Sequence, residues 1–341
     1  MRNYLNGILR LTRYREYIWF VMVTTSLGVI AAYGPVDWRL VVVVLANELA
    51  VGFAFMINDV EDAADDALDP GKRQRNPVSA GLLTRRTAYA ASAVVAALST
   101  ALFALLGRGP FLVGAASLVI AFLYSWRPIR LKAIPFIDLV SHALMLAGLQ
   151  FIASYVTFSE TFGPRFYWPL AMVLAISVYG ELYNELRDLE GDERAGVTHT
   201  ASRLGAGTAR RLAAVCALCG VLAAFIVLFF VQLVPPWVIG LSAFVAIVLL
   251  ARPIWLLKRQ GGLSRRPAFV AAQAPLHKPV EIAAALALSV RLVGPWLNTV
   301  AHAMSTALLQ SPLGVLITSS PWTQQLQRVW QLQTEQLLRL F

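Results

Sequence analysis

The feature that most narrows the fold is a succession of apolar stretches at 17–33, 40–57, 88–106, 111–126, 135–157, 167–183, 212–234, 237–257 and 281–296. Each has about the length a helix needs to cross a bilayer, on the order of 20 residues. The pattern predicts an all-α fold, a polytopic membrane bundle of about nine transmembrane helices; Glu281 and Arg291 interrupt the ninth stretch. Only 14% of the 341 residues are charged, against about 25% in an ordinary soluble domain, and the mean hydropathy is +0.63.

Basic residues orient the bundle, because loops on the cytoplasmic side are enriched in Lys and Arg. Alternate loops carry Arg10, Arg13 and Arg15; Lys72, Arg73, Arg75, Arg85 and Arg86; Arg127, Arg130 and Lys132; Arg187, Arg194, Arg203, Arg210 and Arg211; and Arg252, Lys258, Arg259, Arg265, Arg266 and Lys278. The intervening loops hold little beyond Arg39, Arg108 and Arg165. The amino terminus is therefore expected inside, in an integral protein of a bacterial or archaeal cytoplasmic membrane. The formal charge of +10 follows from this topology and from attraction to anionic membrane lipid, so no nucleic-acid partner is expected. The first apolar stretch reads as a retained span, not a cleaved signal. Cys216 and Cys219 lie inside an apolar segment, where packing is their expected role.

Two acidic signatures end long apolar stretches on the cytoplasmic side: Asn58-Asp59-Val60-Glu61-Asp62-Ala63-Ala64-Asp65-Asp66 and Asn184-Glu185-Leu186-Arg187-Asp188-Leu189-Glu190-Gly191-Asp192. They superpose when the sequence is shifted by about 126 positions, the mark of an internal duplication. The copy extends further, with Gly81 and Gly205 followed by paired arginines and Arg127-Pro128-Ile129 echoed by Arg252-Pro253-Ile254. Residues 1–297 are thus expected to form one transmembrane domain from two parallel four-helix repeats, about 10–134 and 135–260. The tail at 298–341 has an amphipathic pattern suited to the membrane interface and carries no expected chemistry.

Asn58, Asp62 and Asp66 recur every four residues, as do Asn184, Asp188 and Asp192, which on helices places each set along a slowly drifting face. Asp59 and Glu185 flank these sets. Hard oxygen donors without His or Cys suit Mg²⁺, which shares its coordination between carboxylates and substrate phosphates. The expected ligand is a diphosphate bridged by magnesium. Lys72, Arg73, Arg75, Arg127, Arg130, Lys132 and Arg187 are placed to neutralise it. His142 and His199 read either as polar packing residues or as substrate contacts.

These residues resemble the UbiA superfamily of intramembrane prenyltransferases. Its Asn-Asp-x-x-Asp-x-x-x-Asp motif is matched by Asn58, Asp59, Asp62 and Asp66; its Asp-x-x-Asp-x-x-x-Asp motif by Glu185, Asp188 and Asp192, followed by Gly196 and Thr200. Tyr124-Ser125-Trp126-Arg127-Pro128-Ile129-Arg130-Leu131-Lys132 looks like the loop of chlorophyll-synthase-like and carotenoid-modifying branches. The resemblance covers roughly residues 10–296. Arg13-Tyr14 stands where many relatives have Arg-Pro, a departure expected to leave the metal site untouched.

The resemblance implies a prenyltransferase that moves an isoprenyl group from a prenyl diphosphate to a lipophilic acceptor such as a quinone precursor, through an allylic carbocation, with the site facing the cytoplasm. It assigns Mg²⁺ to Asn58, Asp59, Asp62, Asp66, Glu185, Asp188 and Asp192. Asp62, Asp188, Arg127 and Lys132 would carry the catalysis, and Asn58, Tyr124, Arg130, Lys72, Arg73, Arg75, Asn184 and Arg187 would contact substrate. Competing readings are a carotenoid- or chlorophyll-type enzyme of the same superfamily, a transporter or ion-binding membrane protein, and a non-catalytic scaffold descended from an enzyme.

Overall fold

A computed structural model describes residues 2–194, 198–259 and 269–310, with side chains described for 4–189, 198–251 and 277–307. In chain order the helices are α1 (Arg2–Thr12), α2 (Tyr14–Ala31), α3 (Trp38–Asp66), α4 (Pro70–Arg75), α5 (Arg85–Leu105), α6 (Arg108–Ser125), α7 (Ile137–Ala143), α8 (Leu149–Val156), α9 (Pro164–Arg194), α10 (Thr200–Leu204), α11 (Ala206–Phe229), α12 (Pro236–Arg259) and α13 (Phe269–Gln310). A π turn, Leu144–Gly148, joins α7 to α8 without a break. No strand occurs among the described residues.

Every predicted apolar stretch is helical over most of its length. Among the described residues six helical segments are long and apolar enough to cross a membrane: Trp38–Asp66, Arg85–Leu105, Arg108–Ser125, Ile137–Val156, Ala206–Phe229 and His277–Ala307. Lipid tails cannot hydrogen-bond a backbone, so each spanning segment satisfies its own N–H and C=O groups within a helix. The outer helices accordingly expose apolar side chains, among them Val94 and Leu98 on α5, Leu218 and Phe225 on α11, and Phe244 and Ile247 on α12.

Helix α3 lies on α5 and α6, α6 on α8, α9 on α11, and α12 on α13, which returns to α2. Helices α2 and α8 cross at the centre, where Gly28 permits close approach: a Cβ there would stand 2.6 Å from the Phe151 carbonyl oxygen and 2.7 Å from Ser154 Cβ. A buried polar seam fixes this crossing to α3. Asn47 Nδ2 donates to Thr25 Oγ1 and to Ser154 Oγ, both at 2.9 Å, and Thr24 Oγ1 donates to Gln150 Oε1 at 3.0 Å. Polar groups sunk this deep are costly unless paired, and their pairing sets the register of the three helices.

Helices α3 and α9 both run on past their apolar lengths, and these extensions carry the acidic signatures. After α3 the chain turns through α4, started by Pro70 and capped by the Asp69 side chain, and comes back against α3 at Asn76. That fully buried side chain donates to the Asp59 carbonyl at 2.7 Å and to Asp66 Oδ2 at 2.9 Å. Thr200, also fully buried, has the corresponding place after α9 and donates its backbone N–H to Asp138 Oδ2 at 2.6 Å. The tail beyond residue 310 lies outside the described residues.

Candidate active site

The four-residue recurrence predicts one face for Asn58, Asp62 and Asp66, but the α-helix turns 100° per residue, so positions four apart drift by about 40° and positions seven apart by only about 20° the other way. The acids of α3 therefore divide into two sets. Asn58, Asp62 and Asp65 meet the 126–132 loop, while Asp59 and Asp66 meet Asn76 and Arg13.

On the first face, Lys132 Nζ donates to Asn58 Oδ1 at 2.7 Å and also to Asp62 Oδ2. Arg130 bridges Asp62 Oδ1 at 3.2 Å and Asp65 Oδ2 at 2.9 Å, and Arg127 pairs with Asp65 Oδ1 at 2.9 Å while its Nε donates to the Glu61 carbonyl at 3.0 Å. Ser125 Oγ donates to Asn58 Oδ1 at 3.2 Å. The loop leaves α6 at Trp126, and Arg130 takes a left-handed backbone conformation, φ 46°, that swings its side chain and that of Lys132 onto α3. A β-carbon crowds the backbone there, so the loop's contacts hold this conformation in place.

On the second face, Arg13 reaches Asp59 Oδ1 at 3.3 Å and stacks over the Phe55 ring. Arg13 thus brings a guanidinium to a residue of the first motif. Asp59 Oδ2 is buried and has no hydrogen-bond partner among the described residues.

Helix α9 presents Glu181, Glu185 and Asp188 at spacings of four and three, one stripe by the same geometry. Arg187 makes a two-pronged contact with Asp188, Nε to Oδ1 at 2.9 Å and Nη2 to Oδ2 at 3.0 Å. Burial opposes ionisation of Asp188, but the Arg187 hydrogen bonds and the charges of Arg187, Lys72 and Arg75 outweigh it and hold this carboxyl below its ordinary range. Glu185 behaves oppositely. Burial pushes it up to about 7, against hydrogen bonds from His199 and the Ala201 backbone N–H. Its Oε1, like Asp59 Oδ2 at the equivalent repeat position, has no hydrogen-bond partner among the described residues.

The two acidic ends share cations. Lys72 and Arg75 of α4 act electrostatically on Asp66 of α3 and on Asp188 of α9, so α4 lies within reach of both motifs. Arg73 and Arg75 are exposed at the surface of this short helix. The side chain of Asp192 lies outside the described residues. Among the described residues no three His, Cys, Asp or Glu side chains converge on one point. That donor set, hard oxygens spread over two helix ends with two buried carboxylate oxygens unspent, fits an ion completed by substrate oxygens.

Two predicted substrate contacts gather at Glu181. Tyr124 is buried and donates its hydroxyl to Glu181 Oε1 at 2.6 Å, and Asn184 Nδ2 faces Glu181 Oε2 at 3.5 Å. Among the described residues neither makes a hydrogen bond to the 126–132 cations or to Asp62. Sequence reasoning passed over Glu181, Asp65, Asn76 and Asp138 as site residues. The signal for Glu181 is its place four residues before Glu185, and for Asp65 its place seven after Asn58.

A family model described as the UbiA prenyltransferase family matches residues 19–274. The bacteriochlorophyll synthase 34 kDa chain of Chloroflexus aurantiacus is 24% identical over 201 residues, 57% of this chain and 63% of that protein. Lycopene elongase/hydratase of Haloferax volcanii is 32% identical over 172 residues, 50% of this chain and 54% of that protein. The chain thus spans between about half and five-eighths of the length of these curated relatives. A solved structure of a UbiA homologue from Archaeoglobus fulgidus, bound to GPP and Mg²⁺, superposes with a TM-score of 0.59 at 20% identity, covering 83% of this chain and 97% of that one.

Proposed function

The chain belongs to the UbiA prenyltransferase family, and from that premise we propose that it is a magnesium-dependent enzyme transferring an isoprenyl group from a prenyl diphosphate to a lipophilic acceptor. One observation carries the reading: α3 and α9 end in matched oxygen-rich sets, and the α4 cations act on both. A diphosphate between them would find carboxylates for its metal ions and guanidinium or ammonium groups for its free oxygens.

Asn58, Asp62 and Asp66 on α3, with Asp188 and Asp192 on α9, would hold Mg²⁺ together with the diphosphate, and Asp59 and Glu185 offer the unspent oxygens beside them. Bound Mg²⁺ supplies charge that stabilises the diphosphate as a leaving group. Lys132, Arg130 and Arg127 then have a defined task. They are already aimed at the acids of α3, and a diphosphate arriving there lets their N–H groups turn from carboxylate to phosphate oxygens as negative charge develops on the leaving group. The apolar bundle below excludes water, which protects an allylic cation until the acceptor captures it.

The nine-span, two-repeat architecture with the site facing the cytoplasm belongs to the same proposal. The packing of α3 on α5 and of α9 on α11, equivalent pairs in the two halves, supports it. For the acceptor, the loop at 124–132 and the named relatives favour a chlorin or a carotenoid, and a quinone precursor stays in the assay. A transporter reading fits less well, because transport sites lie near the bilayer midplane and these acids sit at helix ends among phosphate-binding cations.

The test incubates purified protein with radiolabelled prenyl diphosphates of several lengths and a lipid extract of the source organism, with and without Mg²⁺. Metal-dependent release of diphosphate with label passing into lipid is the expected result. Full turnover retained by both Asp62→Ala and Asp188→Ala would overturn the assignment.

A further inference from the structure

Glu181 is the one acid of the α9 stripe that the internal duplication does not explain: the equivalent position on α3 is Phe55. It lies four residues, about 6 Å along the axis, below Glu185 on the side of the apolar segment. Its Oε1 accepts from Tyr124 at 2.6 Å, and its Oε2 faces His142 Nε2 at 3.0 Å. His142 Nδ1 is in turn 3.4 Å from Ser177 Oγ. Three helices, α6, α7 and α9, thus contribute to a Ser177–His142–Glu181–Tyr124 chain inside the bundle, with Glu181 and His142 retaining 11% and 13% side-chain exposure.

Two features separate this group from structural ion pairs. Among the described residues none of its hydrogen-bond partners is a Lys or Arg, and the buried carboxylate meets an imidazole, a phenol and an amide. A buried carboxylate needs such partners, and its Oε2 stands within hydrogen-bonding distance of His142 Nε2. It also sits deeper than the diphosphate cluster, on the side of the site that the isoprenyl group and acceptor would occupy. Transfer to an acceptor needs such a group, because capturing the cation leaves one proton too many.

Resting on the prenyltransferase reading, we propose that Glu181, backed by His142, accepts the proton released by the acceptor. The prenyl C–O bond breaks and its electron pair leaves with the diphosphate. An electron pair of the acceptor, from a hydroxyl oxygen or a carbon–carbon double bond, forms the new bond to the allylic carbon. The proton from that hydroxyl, or from the carbon next to the new bond, passes to Glu181, and His142 holds the pair oriented through Ser177. Tyr124 fixes the other carboxylate oxygen and is a positioning residue.

The test measures two quantities in one incubation with radiolabelled geranylgeranyl diphosphate, Mg²⁺ and the source-organism lipid extract: diphosphate released and label transferred to lipid. For Glu181→Gln and His142→Gln the ratio of transfer to release should fall by about 100-fold or more, with label diverted to the free prenyl alcohol. Glu181→Asp should recover part of the ratio. Parallel loss of both quantities in Glu181→Gln and Glu181→Asp would mean a structural role and overturn the inference, as would an unchanged ratio. Wild-type release without any transfer to lipid would also overturn it. Absence of wild-type release would instead sink the prenyltransferase reading itself.

Discussion

Asp62 and Asp188 occupy equivalent positions in the two repeats, yet their surroundings differ in kind. Asp62 is gripped from a distant part of the chain by Lys132 and Arg130, whereas Asp188 is held by its own neighbour, Arg187. The cause is visible in the second copy of the loop. Arg252-Pro253-Ile254 repeats the first three residues, but Trp255 and Leu257 stand where Arg130 and Lys132 would fall, and the backbone of α12 continues as helix through Arg259. The two matching stretches of sequence share the oxygen donors, and the cationic arm follows the first alone. On the proposed function, a substrate clamped between them would meet an asymmetric site, with arm and ligands together at α3 and ligands served by α4 at α9.

The largest expected effects come from removing either carboxylate. Asp62→Ala and Asp188→Ala should each lower diphosphate release by about 1,000-fold or more, the scale of losing a group that stabilises developing charge, measured with a coupled pyrophosphate assay. If only one of them matters, the two ends do not share a ligand. Next, Lys132→Met should slow release by about 10- to 100-fold and raise the substrate concentration needed for half-maximal rate. Arg187→Gln should cost less than Lys132→Met in the same assay, because α4 supplies further charge to Asp188.

Much of the site was legible before any coordinates. Spacing and duplication picked out both acidic helix ends and the loop cations, because a helix preserves sequence periodicity in space and a copied motif marks its own partner. Legibility failed where the period is not four: Asp65 replaces Asp66 against the loop because seven residues bring a helix closer to its starting angle than eight. It failed also where partners come from far along the chain without a motif. Nothing in the sequence joins Tyr124 and His142 to Glu181, since α6, α7 and α9 meet only after the bundle closes. The apolar stretches are helical over most of their lengths, yet α2 and α9 mix polar residues into theirs and α12 is apolar over the shorter Pro236–Ala251, so among the described residues length and composition alone single out fewer spans than the stretches suggested.

Stability offers a second comparison of the two ends. Asn76→Ala removes a fully buried donor from Asp66 and from the Asp59 carbonyl, leaving a carboxylate and a carbonyl underserved. A loss of about 2–3 kcal/mol is expected, seen as a lower thermal midpoint in detergent. Thr200→Val removes two side-chain bonds, the one its hydroxyl donates to Asp138 and the one it accepts from the Phe136 backbone N–H, but leaves the Thr200 backbone N–H on the other carboxylate oxygen. Its expected cost is about 1–2 kcal/mol. An equal or larger loss for Thr200→Val would show that the α9 end depends on its loop as much as the α3 end does.

The smallest effect concerns position 61, where the first repeat carries Glu61 and the second carries Arg187. Glu61 is buried and accepts from the Tyr89 hydroxyl, while its ionic partner Arg85 is about half exposed. An ion pair with one member in solvent is screened and contributes roughly 0–1 kcal/mol. Arg85→Gln should therefore shift the thermal midpoint only slightly, since Tyr89 still satisfies one carboxylate oxygen. Arg85→Gln combined with Tyr89→Phe should cost more than the two single changes added together, because the second removal strands a buried charge. Additive losses in that double-mutant cycle would mean that Glu61 finds other partners, and that the opposite charges at this repeat position have no bearing on how the two helix ends are held.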